Sequence, residues 1–471
     1  MIFSSLSFLL LFLPLLFGIY FLIPPKYIKA RKSTLLLFSV VFYTSGEPVY
    51  IFLIIFCIFI TWLLSEQIEY RKKGYLYLVI AVNILPLVAF KYLGFILGNI
   101  IAITGINKLQ VPDIPLPIGI SFYTFQILSY IVDLYSGKID RQKNIIYLIL
   151  YVMLFPQLIA GPIVRYPDIQ DAIENSRESW EKIQYGTGRF IVGLSKKVLI
   201  ANQVGYISSE ILSHPLNLIS TFYLWIAIIA FALQIYFDFS GYSDMAIGLG
   251  KVFGFTFPEN FDKPYMVKSI QEFWRKWHMT LGAFFRDYVY IPLGGNRVST
   301  LRWIINVLVV WFFTGLWHGA SWNYVIWGGY YAVLLLLEKG LERLFLDRIP
   351  KYFRWFLTIF LVLLGWAIFM ADGYSMNELG NFITRLFYSI PLKNRVTFAS
   401  MGLYGYIPYL ILGIIIVSPT WLLIEKIKDK FDDMNNKVYA YVNDTVLVVL
   451  LFLCIIYIVG GSYNPFIYYR F

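Results

Sequence analysis

The chain has 471 residues, 59% of them hydrophobic and only 14% charged, with a mean hydropathy of +0.67. Soluble domains carry about a quarter charged residues, so this composition excludes a water-solvated globule and assigns the chain to the lipid bilayer. The formal net charge of +11 is spread over short connections, which argues against nucleic acid as a partner and fits retention of cytoplasmic loops.

Residues 2–23 form one long apolar stretch. No basic leader precedes it and no small-residue cleavage site follows, so it reads as a retained first span. A crossing of about 30 Å needs roughly 20 apolar residues. On that criterion about eleven to fourteen runs or shorter re-entrant pieces follow one another in an all-α, polytopic membrane protein. Their centres lie near Phe12, Leu36, Phe56, Leu87, Phe125, Leu154, Val198, Ile228, Ile247, Val309, Ile326, Leu361, Leu412 and Leu451. Apolar runs recur throughout, so 1–471 is read as a single membrane unit.

Basic residues follow the first run (Lys26, Lys29, Arg31, Lys32), the third (Arg71, Lys72, Lys73) and the fifth (Lys138, Arg141, Lys143). The Gly46-Glu47-Pro48 turn and the 108–115 loop are not basic. The positive-inside rule then sets the N-terminus outside and the basic turns in the cytoplasm. Segment 168–182 mixes both signs, so its charge leaves its side open; 425–437 is a second charged connection. No internal repeat is visible, which counts against a transporter.

Cys57 and Cys454 both fall in apolar runs and read as packing residues. No group of Cys, His and carboxylates has metal-ligand spacing, and there is no P-loop or dinucleotide fingerprint. Of the three histidines, His214 precedes Pro215 in a loop and carries no functional signal.

Residues 270–288 read as one amphipathic helix. Ile270, Phe273, Trp274, Trp277, Leu281, Phe284, Phe285 and Tyr288 recur at helical spacing, while Glu272, Arg275, Lys276, Arg286 and Asp287 occupy the rest. Such a basic helix is expected in the membrane interface. His278 borders its apolar face, either as an interfacial histidine bonded to a carbonyl or as a working group.

His318 stands in Trp311-Phe312-Phe313-Thr314-Gly315-Leu316-Trp317-His318-Gly319-Ala320-Ser321-Trp322. An ionisable group at membrane depth is costly and is a functional-site hypothesis by default. On a helix Gly315, Ser321 and Trp322 share its side. The glycines are read in two ways: they admit another backbone, or they leave room for a substrate. His318 itself is either glue between helices or a general base. A third cluster, Gln234-Ile235-Tyr236-Phe237-Asp238-Phe239-Ser240-Gly241-Tyr242-Ser243-Asp244, is a polar bundle interior, a turn between spans, or a lining that orients a histidine.

Five ordered blocks carry a resemblance. They are Phe155-Pro156-Gln157-Leu158-Ile159-Ala160-Gly161-Pro162-Ile163, Tyr236 to Ala246, Phe273-Trp274-Arg275-Lys276-Trp277-His278-Met279-Thr280-Leu281, Arg286 to Gly295, and Gly315-Leu316-Trp317-His318-Gly319. Together, over about 116–337, the chain resembles the membrane-bound O-acyltransferase family, in its bacterial polysaccharide O-acetylating branch. The resemblance implies helices around a central tunnel, with His318 in the position of the main catalytic histidine and His278 in that of the second, cytoplasm-side histidine.

It further implies a transfer without a permanently bound cofactor. An acyl thioester donor, acetyl-CoA, enters from the cytoplasm, and the acyl group goes to hydroxyls of an extracytoplasmic polysaccharide. A separate hydrolase-like partner outside the membrane is expected to complete the transfer. Arg275, Lys276 and Arg286 are the candidates for pairing with donor phosphates, and Asp238, Tyr242 and Asp244 for orienting the histidines. The expected location is the cell (plasma or inner) membrane. D-alanyl transfer to teichoic acid, a flippase for lipid-linked sugars, and a scaffold for a polysaccharide synthase are the other readings.

Overall fold

The computed structural model describes residues 1–461 apart from 107–111, 113, 160, 176–177, 343–348, 389–395, 424–425 and 427–435. The 108–115 loop, Ala160 and the 425–437 connection therefore lie wholly or partly outside the described residues. The elements are helical. In chain order they are α1 (Leu13–Leu22), α2 (Ile28–Thr44), α3 (Ile51–Glu69), α4 (Lys73–Leu87), α5 (Leu93–Thr104), α6 (Ile120–Ser136), α7 (Ile145–Met153), α8 (Phe155–Leu158), α9 (Tyr166–Asn175) and α10 (Trp180–Ser195). There follow α11 (Asn202–Leu212), α12 (Thr221–Val252), α13 (Ile270–Lys276), α14 (Met279–Phe285), α15 (Thr300–His318), α16 (Trp322–Glu342), α17 (Lys351–Met370), α18 (Met376–Arg385), α19 (Ile407–Val417) and α20 (Asn436–Val459). Serines 179, 220, 269 and 375 start α10, α12, α13 and α18 by accepting the N–H three residues on, which satisfies donors a helix leaves open at its first turn.

Among the described residues, six helices are long and apolar enough to cross a membrane: 51–69, the joined α4–α5 helix Lys73–Thr104, α12, α15, α17 and 440–459. The eleven to fourteen runs, read from hydropathy as crossings or shorter re-entrant pieces, thus include helices too short to cross by this measure. The first run becomes the apolar helix Phe8–Leu22, and Leu403–Val417 is likewise short. The run near Leu154 breaks into α7 and α8, whereas those near Ile228 and Ile247 merge into the 32-residue α12. Hydropathy registers a buried apolar segment and a lipid-facing one alike; only packing separates them. α6 is buried on nearly every side, whereas α20 is mostly uncovered by protein. Large exposed side chains such as Leu22, Phe52 and Phe356 form the outer surface, and a bilayer accounts for them without further partners.

α10 and α12 pack back to back through glycines. A Cβ on Gly186 would strike the Gly248 carbonyl, and one on Gly193 the Gly241 carbonyl; the reverse contacts are equally close. Small residues at this spacing let two helix backbones meet, and α12 becomes the buried axis of the bundle.

The basic turns collect at one end. Arg141 pairs with Glu66 at 2.7 Å and Arg71 donates to the Ser136 carbonyl. Gln142 reaches Glu174 on α9, Lys32 reaches the Ala172 carbonyl, and Arg31 pairs with Glu178. Segment 168–182, whose charge left its side open, therefore lies at the same end as the basic turns. At the opposite end Ser321 donates to Asp372 and the Trp322 indole to Asn99. Cys57 and Cys454 are buried.

Candidate active site

The single helix expected over 270–288 is two short helices, α13 and α14, followed by a π-turn at Arg286–Tyr290. The break falls at His278, whose backbone is left-handed at φ 45° and ψ 54°. A non-glycine residue holds that conformation only when its surroundings enforce it, and such strain clusters at functional sites. One face of the segment turns into the protein: Phe273, Trp277 and His278 are buried, while Arg275 and Arg286 stay exposed. Trp277 packs on Phe261 and Trp366, and Phe273 on Tyr265, so aromatic contacts on two sides draw it into the protein.

Asn260 is what holds His278. Its main-chain carbonyl accepts from Met279 N–H at 2.9 Å. Its side-chain Oδ1 lies 3.0 Å from His278 Nδ1, 3.3 Å from Thr280 N and 2.9 Å from Thr280 Oγ1. The proton positions follow from the donors that cannot reverse. A backbone N–H only donates, so Thr280 N–H marks the oxygen end of the Asn260 amide. Ile163 N–H donates to Thr280 Oγ1 at 3.0 Å, which leaves that hydroxyl to donate to Asn260. His278 Nδ1 therefore carries the hydrogen, and its Nε2 is the acceptor nitrogen. Nε2 is buried and has no hydrogen-bond partner among the described residues. The other end of the Asn260 amide donates to Ser243 Oγ at 3.1 Å. Ser243 lies about 14 Å along α12 from its end at Val252, so this imidazole sits well inside the bundle.

His318 is the last residue of α15 and is 2% exposed. Trp317, Trp327 and Phe369 stand edge-on to its ring, at centroid distances of 4.8, 5.0 and 5.3 Å. The Trp317 ring also lies 5.5 Å from His278, so one indole borders both imidazoles. His278 and Lys91 are within electrostatic reach of His318. Because the helix ends here and Gly319 is extended, Ser321 and Trp322 do not continue on its face. The glycines do not leave space either. A Cβ on Gly315 would strike the Tyr324 carbonyl and one on Gly319 the Tyr324 ring. They admit α16, and that contact is what fixes the end of α15.

A cavity of about 670 Å³ is bounded by Trp274, Arg275, His278, Phe285, Arg286 and Thr314. A second, apolar cavity of about 610 Å³ shares Phe285 and reaches Phe125, Leu316 and Trp317. His318 lines neither of the two and stands behind Trp317. The structure thus brings Arg275, Arg286 and His278 to one space. Lys276 turns toward Asp262 and Glu272, at 3.4 and 3.7 Å. Arg286 pairs with Asp287, which also binds Arg165 at 2.8 Å. Burial alone would raise the Asp287 carboxyl, but hydrogen bonds from Arg286 and Arg165 outweigh it and hold the group below its ordinary range.

The α12 cluster is engaged elsewhere. Asp238 pairs with Lys197 at 2.7 Å, Asp244 with Arg189 and Lys196 at 2.8 and 2.6 Å, and Tyr242 stacks on Phe3. From this cluster, the Phe239 ring stands edge-on to His278 at 4.6 Å, and Ser243 reaches the same histidine through Asn260. Sequence reasoning missed Asn260, because nothing in the Pro258-Glu259-Asn260-Phe261 text marks an amide that folds back on a residue eighteen positions later. His214 bonds the Glu210 carbonyl and Ser213 beside it, the local capping role its position suggests.

Two buried histidines border one indole, beside a cavity that carries arginines, within a helical membrane protein. A model of the membrane-bound O-acyltransferase family matches residues 138–380, more than half of the chain, and the chain belongs to that family. It is an acyltransferase built into the bilayer. Among its relatives, the probable alginate O-acetylase AlgI of Azotobacter vinelandii is 39% identical over 390 residues, covering 80% of this chain and 76% of its own length. The peptidoglycan O-acetyltransferase of Helicobacter pylori is 32% identical over 411 residues, covering 79% and 77%. The teichoic acid D-alanyltransferase of Bacillus subtilis is 27% identical over 323 residues, covering 64% and 77%.

Asn260→Leu removes the acceptor that fixes the His278 tautomer. Acyl transfer is expected to fall about 10- to 100-fold, the scale of losing a partner that orients a working histidine. Transfer rate per folded protein, with melting measured in parallel, checks this.

Proposed function

We propose that the chain moves an acetyl group from acetyl-CoA on the side of the basic turns to hydroxyls of a polysaccharide beyond the opposite face of the cell membrane. The observation that carries this reading is that His278, whose buried Nε2 has no hydrogen-bond partner among the described residues, lines a cavity that also holds Arg275 and Arg286. Arg275 offers paired N–H donors suited to phosphate oxygens, Arg286 adds its charge while its own fork rests on Asp287, and the cavity admits the acyl arm. His318, nearer the opposite end, takes the proton of the acceptor hydroxyl. The hydroxyl oxygen attacks the thioester carbonyl, a C–O bond forms, the C–S bond breaks, and the thiolate leaves with that proton as free thiol. His278 holds the donor or shares the proton relay.

The acetyl group is favoured over D-alanine by the relatives named above: the acetylating ones share more identity with this chain, over more of its length, than the D-alanylating one. The orientation is supported by the gathering of basic turns at one end, which the positive-inside rule makes cytoplasmic. Completion on the polymer falls to a separate extracytoplasmic protein with a hydrolase-like site.

The donor site is tested by kinetics in membrane vesicles. Arg275→Gln is expected to raise KM for acetyl-CoA about ten-fold, the scale of one hydrogen bond to a charged group, with little change in kcat. Lys276→Gln is expected to change KM by less than about two-fold, because exposed ion pairs already occupy that ammonium group. An unaltered KM in Arg275→Gln removes the phosphate-pairing role.

A further inference from the structure

Lys91 is a partly buried basic residue that the transfer chemistry above does not use. It lies in the long helix Lys73–Thr104, on a π-turn spanning Val88–Tyr92. An ammonium group at such depth is expensive and is retained only where it has partners. π-turns inside helices recur at functional sites because they shift the register of the side chains that follow.

The partners are specific. Lys91 Nζ donates to the Trp317 carbonyl and to Ser121 Oγ, the latter at 3.2 Å, and its charge lies 5.8 Å from the Trp317 ring centre. The next residue, Tyr92, donates from its hydroxyl to the Leu316 carbonyl at 2.9 Å. The last carbonyls of a helix have no partner within it and carry the negative end of its dipole. Two consecutive residues thus cap two consecutive carbonyls, the second of which belongs to the peptide that joins Trp317 to His318. Ser121 stands in the first turn of α6, just after Gly119, where the chain enters that helix in a left-handed conformation.

We propose that Lys91 is a positioning residue for His318: its ammonium group pins the peptide that carries the histidine and ties the end of α15 to the first turn of α6. Trp317, which borders both imidazoles, is held by the same contact, so Lys91 sets the spacing of the pair as well as the direction of His318. The inference rests on the acyl transfer reading.

The test compares Lys91→Met with Lys91→Arg in the full-length protein, in membrane vesicles supplied with acetyl-CoA and acceptor. Wild type and His318→Ala are run alongside. Met keeps the length and removes the charge; Arg keeps charge and donors. A positioning role predicts that Lys91→Met lowers kcat about 10- to 100-fold with KM for acetyl-CoA within about two-fold. It predicts only a small drop in melting temperature, the scale of one lost hydrogen bond to the Trp317 carbonyl. Lys91→Arg should retain more of kcat than Lys91→Met. Wild-type kcat in Lys91→Met overturns the inference. So does a joint loss of kcat, KM and melting temperature, or an equal loss in both variants. If wild-type vesicles consume no acetyl-CoA beyond the His318→Ala background, the acyl transfer reading fails, and that outcome is distinct from any effect of Lys91.

Discussion

His318→Ala is expected to lower surface O-acetyl ester by about 10²- to 10⁴-fold, the range of a lost general acid or base, at normal protein level. The ring is enclosed by Trp317, Trp327 and Phe369, so its removal leaves a small void in a scaffold whose other contacts persist. His318→Gln separates the two readings of this residue. Glutamine still forms hydrogen bonds between helices but does not accept a proton near neutral pH. Chemistry therefore predicts that the Gln variant is as inactive as the Ala variant, whereas helix glue predicts activity close to wild type. Ester content normalised to protein measures both.

Lys197→Met is expected to give the largest loss of stability. Lys197 and Asp238 pair at 2.7 Å, with side chains 3% and 0% exposed. Truncating one partner of a buried ion pair leaves an uncompensated charge and costs about 3–5 kcal/mol. α12 is the axis on which α10, α11 and α17 pack, so the damage spreads to the bundle. The double variant Lys197→Met with Asp238→Leu, which removes both charges, should recover most of the loss. Melting of purified protein checks the comparison: equal melting of Lys197→Met and wild type would remove the pair from the account of stability. The same pair explains why a carboxylate in the middle of α12 is tolerated at all.

The sequence announced a helical membrane protein, its family blocks and its two conspicuous histidines. These are legible because hydropathy, ionisable groups in apolar runs and ordered motifs are local signals. What stayed hidden depends on packing. Residues 270–288 have one helical period, yet the chain breaks at His278, because Asn260 and the aromatic contacts of Trp277 reward a left-handed turn that periodicity does not encode. Of the two readings of Gly315 and Gly319, packing selects the approach of a neighbouring helix over space for a substrate, because the volume they free is taken by Tyr324. Asp238 and Asp244 looked like aids to the histidines, and their charges are instead met by Lys197, Arg189 and Lys196. Of the residues that hold the site, Ser243 and Thr280 lie in the family blocks, Ser243 in the cluster read as a lining that could orient a histidine, whereas Asn260 stands in unmarked text. Which of the apolar runs cross in full stayed open for a related reason: a run of apolar residues is the same text whether it faces lipid or protein.

The central claim is that this membrane protein consumes an acyl thioester through His318. Its most direct test is release of free thiol from acetyl-CoA by purified protein in liposomes, with a polysaccharide acceptor and an extracytoplasmic partner supplied. The account predicts thiol release matched by acetyl ester on the acceptor, abolished in His318→Ala. Movement of a lipid-linked sugar without thiol release, or undiminished release by the His318→Ala protein, would contradict it.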